Sequence, residues 1–135
     1  MNVPEVAFLD TSVIVRYLTD DPPALAARAA QIIDGEQTLI VSELILVETA
    51  YVLTSVYQTS RAAVVDALTL FVQKANLRLL TLPKPLALEA LRLCHDSQHY
   101  SFTDAFLWAF ARHAGIPHIY TFDARFPSDA VLLHS

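Results

Sequence analysis

The sequence predicts an α/β domain: a mostly parallel central sheet of four to five strands with helices on both faces. Short apolar runs without polar alternation recur at residues 6–9, 39–41, 77–81 and 118–122, as in strands buried on both faces. Helical signals fill the segments between them, and strands alternating with helices imply right-handed crossovers. A length of 135 residues suits one domain, residues 1–135, with a core that needs no staples.

The elements follow in order. The first run stops at Asp10, and a helix is expected from Thr11 or Ser12 to about residue 19. Asp21-Pro22-Pro23 reads as an N-cap with proline in the first turn, opening an Ala-rich helix to Asp34 with Gly35 at C′. After the second strand, Ser42 caps a helix that carries Glu48 and runs to about residue 57. Ser60 opens another, with Val64, Leu68, Phe71 and Ala75 on one face. Pro83 and Pro85 close the third strand. Helices over about 85–96 and 102–114 come next, the second ending at Gly115 with Pro117 beyond. The fourth strand again ends in an acid, Asp123, and residues 131–133 add a short fifth strand.

Composition excludes several classes. Hydrophobic residues make up 54% and charged residues 17%, so disorder is ruled out and the apolar surplus points to surface that a partner covers. Two glycines cannot supply a dinucleotide fingerprint or a P-loop. One cysteine forbids an internal disulfide or a Cys-based zinc site, which suits a reducing cytosol. No basic-start secretory signal opens the chain, and Glu43 and Glu48 interrupt its longest greasy stretch. A soluble cytoplasmic protein is expected. The net charge of −5 argues against a broadly basic nucleic-acid face, but not against nucleic acid reached through bound metal.

Most of the 14 acids have bland explanations: turns, helix ends, and Glu89 paired with Arg92 three residues on. Four do not. Glu48 sits on a helix apolar nearly all round, which reads as buried, and an isolated buried carboxylate is unfavourable unless paired or metal-bound. A Glu at a solvent edge, or beside a stray Arg, is the plainer alternative. Asp104 lies among Phe102, Phe106, Leu107, Trp108 and Phe110, though Ser101-x-x-Asp104 also has capping-box spacing. Asp10 and Asp123 end two strands, where ligands of open α/β sheets bind; each also reads as a cap for a following helix. Taken together, four carboxylates converging on one crevice cannot all ionise without a cation. Oxygen ligands without Cys select Mg²⁺, with Mn²⁺ as the second choice, and such clusters activate water in phosphodiester cleavage. The hydroxyls of Thr11, Ser12 and Thr121 are candidates to orient the carboxylates or water, and Arg16 and Arg125 to contact phosphates.

At this point the sequence resembles PIN-domain nucleases, and in detail VapC-type toxin ribonucleases. Leu9-Asp10-Thr11-Ser12-Val13-Ile14-Val15-Arg16-Tyr17-Leu18-Thr19-Asp20-Asp21-Pro22 is similar to the family's opening motif, and Val47-Glu48-Thr49-Ala50-Tyr51-Val52-Leu53 to its second. Phe102-Thr103-Asp104-Ala105 matches the third acid, and Tyr120-Thr121-Phe122-Asp123-Ala124-Arg125-Phe126 the fourth. The match runs in order along essentially the whole chain. It implies a three-layer PIN-like fold, Mg²⁺-dependent endonucleolytic cleavage of RNA to 5′-phosphate and 3′-hydroxyl ends, a homodimer, and neutralisation by a VapB-type antitoxin.

Other readings weigh less. An aspartyl phosphohydrolase wants a D-x-D pattern, but position 12 is Ser. A receiver-like domain wants an acid ending the third strand and a later Lys, but Thr81 stands there and no Lys follows position 84. A non-catalytic PIN-like scaffold for protein association sits poorly with an intact acidic quartet. His95 and His99, at i and i+4, read as a polar helix end rather than a metal site, and Trp108 as core rather than a base-stacking ring.

Overall fold

Strand β1 (Val6–Leu9) is buried at every residue after its first, as a strand covered on both faces should be. The computed structural model describes residues 3–96 and 99–135. Along it follow α1 (Thr11–Thr19), α2 (Pro23–Ile33), β2 (Thr38–Ser42), α3 (Glu43–Ser55), α4 (Arg61–Val72) and β3 (Leu77–Leu80). Then come α5 (Lys84–Asp96), α6 (Phe102–Ala114), β4 (His118–Tyr120) and β5 (Leu132–His134). The sheet runs β3-β2-β1-β4-β5, with every pairing parallel.

That order places the crevice. The α1–α2 and α3–α4 connections step outward from β1 to β2 and β3, whereas α5–α6 returns to the far side of β1. Right-handed crossovers set the two groups on opposite faces, giving the three layers the sequence implied. The reversal falls between β1 and β4, where an open parallel sheet leaves a gap beyond its strand ends. Register brings those ends level: Leu9 pairs with Tyr120, and the Asp10 N–H donates to the Tyr120 carbonyl at 2.9 Å.

The core gathers on the sheet. Phe8, Leu9, Leu39, Ile40 and Ile119 meet Ile14, Ile32, Ile33, Ile45, Phe71 and Leu107 from the helices, all fully buried. The Phe8 and Phe110 rings lie tilted with centroids 5.3 Å apart, tying β1 to α6. Trp108 is buried, with its indole N–H donating to the Asp129 carbonyl, so it is a core residue as expected. Among the described residues no helix is long and apolar enough to cross a membrane.

Several sequence expectations are corrected. The α2 N-cap is Pro22 rather than Asp21, with no side-chain cap bond. Gly35 stands just after that helix without a left-handed φ; what favours glycine is space, because a Cβ there would meet the Gln31 carbonyl oxygen at 3.0 Å. Helix α3 stops at Ser55 and is not buried all round: Val47 and Tyr51 are 67% and 69% exposed. Helix α4 ends at Val72, leaving Ala75 outside it and exposed. Glu89 bonds Arg112 and His113 of α6 instead of Arg92, joining the two helices of the second crossover. His95 and His99 do not share a helix, since α5 ends at Asp96.

Candidate active site

Asp10 follows β1 and occupies the N-cap position of α1, yet its carboxylate makes no cap bond. Its Oδ2 accepts from Ser12 Oγ at 2.9 Å and from Thr121 Oγ1 at 2.7 Å. Those hydroxyls are fixed in turn, Ser12 Oγ accepting from the Phe122 N–H at 2.9 Å and Thr121 Oγ1 from the Asp123 N–H at 3.0 Å. The two hydroxyl oxygens also lie 3.3 Å from each other. The other oxygen, Oδ1, is buried and has no hydrogen-bond partner among the described residues. The Thr11 hydroxyl is likewise buried and has no hydrogen-bond partner among the described residues.

Asp104 arrives from the opposite layer. Ser101 caps α6 by accepting the Asp104 N–H at 3.0 Å, so the capping spacing and the buried carboxylate belong to one residue. Glu48 stands half-buried on α3, whose first turn is fixed by Ser42 accepting the Ile45 N–H at 3.3 Å. Asp123 lies past β4, and no helix follows for it to cap. Its Oδ1 accepts the Arg125 N–H at 2.9 Å, closing a tight turn, while Arg125 Nε stands 3.5 Å away.

All four acids line one open cleft of about 520 Å³, with Arg16, Arg125 and His99 also on its walls. His99, read from the sequence as part of a polar helix end, instead stands at the mouth of this cleft. Burial pushes the Asp10 carboxyl up, more than hydrogen bonds from Thr121 and Ser12 pull it down, and the Glu48 charge adds to the rise. Burial, then the charges of Asp10, Asp123 and Glu48, push Asp104 up to about 8. Asp104 therefore keeps its proton at neutral pH unless a cation replaces it. A hard divalent cation fits: the donors are all oxygen, and Asp10 Oδ1 is an unmet acceptor. Among the described residues no three His, Cys, Asp or Glu side chains already close a cage.

This chain belongs to the PIN domain family, which matches residues 7–130. Among solved structures it is similar to the Mycobacterium tuberculosis toxin VapC20, which cleaves the sarcin–ricin loop. That likeness has a TM-score of 0.73 at 24% identity, over 90% of this chain and 92% of the other. VapBC2 of Rickettsia felis, bound to a DNA fragment from its promoter, aligns over 96% and 97% of the two chains with a TM-score of 0.66 at 14% identity. PAE2754 of Pyrobaculum aerophilum aligns over 98% and 92%, with a TM-score of 0.64 at 20% identity. These likenesses show a shared fold. No curated protein matches the chain.

Proposed function

We propose that this protein is a divalent-cation-dependent endoribonuclease, the toxin of a type II toxin–antitoxin pair acting in the cytoplasm. The observation that carries the reading is the buried, unpartnered Oδ1 of Asp10 in a cleft with three further acids. Membership of the PIN domain family and the shared fold of VapC20 and VapBC2 support it.

Asp10, Glu48, Asp104 and Asp123 would hold Mg²⁺ or Mn²⁺. When bound, that ion supplies a Lewis acid that makes water more acidic and offsets charge building on the phosphate. Ser12 and Thr121 hold Asp10 through Oδ2 and so leave Oδ1 for the ion. Asp104 would give up its proton to such a cation, because its raised pKa comes from burial and like charges. Arg16 and Arg125 set positive charge on the walls, where flanking RNA phosphates pass. The exposed apolar residues of α3, Val47 and Tyr51 among them, suit a covering protein, here assigned to a second copy or a VapB-type antitoxin.

The test is direct. RNA incubated with the purified protein is cut in Mg²⁺ and left whole in EDTA, with 5′-phosphate ends on the products. Asp10→Asn lowers the cleavage rate by ~10²-fold or more while circular dichroism stays unchanged. Undiminished cleavage by Asp10→Asn, or cleavage indifferent to EDTA, defeats the reading.

A further inference from the structure

The two arginines of the cleft are held in different ways. Arg125 is drawn to an acid, its Nε lying 3.5 Å from Asp123 Oδ1. Arg16 instead donates from Nη1 to the hydroxyl of Tyr57 at 2.9 Å. Its Nε is buried and has no hydrogen-bond partner among the described residues.

Tyr57 comes from the turn after α3, and that turn is fixed. The Tyr57 N–H donates to the Val52 carbonyl at 3.3 Å and the Thr59 N–H to the Leu53 carbonyl at 3.0 Å. Gln58 between them takes a left-handed conformation, φ 52°. Tyr57 is half-buried and lines another cleft, of about 210 Å³, with Leu53 and Val64, while its hydroxyl meets Arg16.

A neutral hydroxyl orients a guanidinium without cancelling its charge, whereas a carboxylate does both. Glu48 lines the same cleft, yet the Arg16 hydrogen bond goes to the phenol. The guanidinium is thus held by a neutral group and pairs with no carboxylate among the described residues. Along α1 it starts about 9 Å from Asp10, a helical rise of six residues. Resting on the nuclease reading above, we propose that Tyr57 is a positioning residue: it aims Arg16 at the phosphate next to the scissile one. This makes the Tyr57–Arg16 pair a determinant of RNA binding, separate from the acids that carry the chemistry.

Tyr57→Phe deletes only the hydroxyl. The KM for an RNA substrate is expected to rise about 3- to 10-fold with kcat within twofold of the parent. The affinity of the cleavage-deficient Asp10→Asn protein for the same RNA, read by fluorescence anisotropy, falls by the same factor when Tyr57→Phe is added. In an Arg16→Ala background Tyr57→Phe adds nothing further. Arg16→Lys, which keeps the charge but loses the fork, also raises KM at constant kcat. An unchanged KM in Tyr57→Phe, a fall confined to kcat, or a full further loss in the Arg16→Ala background overturns the proposal. If the parent protein cuts no RNA, the nuclease reading itself has failed. If the parent cuts and Tyr57→Phe cuts with equal KM, only the positioning role is lost.

Discussion

Asp104 is the residue whose ionisation most clearly separates the folded chain from the unfolded one. Its carboxyl ionises at about 8 in the fold and near 3.8 when unfolded. Below pH 3.8 both states hold the proton. Between these values only the folded state holds it, so stability falls as pH rises, and above about 8 both are ionised and the dependence stops. The metal-free protein should therefore melt at a higher temperature at pH 5 than at pH 8. Asp104→Asn should flatten that slope and raise the stability of the metal-free protein at pH 8 by about 1 kcal/mol, ~4 °C in Tm. A steeper fall in the variant, read by scanning calorimetry, would contradict this account. The four acids were legible in the sequence because each breaks an apolar pattern or ends a strand. The phenol on Arg16 was not, since Tyr57 and Arg16 are 41 residues apart and only the turn after α3 brings them together.

Elements were legible where chemistry punctuates them. Ser42, Ser60 and Ser101 each cap the helix expected of them, and Gly115 takes the left-handed φ of 70° that ends α6. Misreadings arose where tertiary packing overrides local pattern. An apolar helix suggested burial of α3 on every side, but only Ile45, Thr49 and Leu53 are fully buried. Asn76, unremarked in the sequence, clasps the α2–β2 connection: its Nδ2 donates to the carbonyls of Ile33, Gln37 and Gly35 at 3.0, 3.1 and 3.4 Å. Its replacement by Ala leaves those acceptors short of a donor. A loss of about 1–3 kcal/mol in urea unfolding is expected, with the site's acids unmoved.

For the molecule as a whole, four of the acids behind the formal charge of −5 meet in one cleft. A ligand that binds the folded state alone stabilises it by mass action, ~2.7 kcal/mol at a hundredfold excess over Kd. Mg²⁺ should raise Tm with concentration and EDTA should reverse it, while Asp10→Asn shows little of either. A Tm indifferent to Mg²⁺ and Mn²⁺ would leave the cleft without its ion. The parallel sheet was readable from four apolar runs, but its order was not, because nothing local says that β4 inserts beside β1.

That insertion has a consequence for how the protein is made. Asp10 is bonded by Thr121, 111 residues later, and the β1–β4 seam joins the beginning of the chain to its last fifth. A ribosome has therefore translated more than a hundred residues beyond Asp10 before that acid meets Asp123. Until then the emerging chain holds Asp10 and Asp123 on segments that are not yet joined.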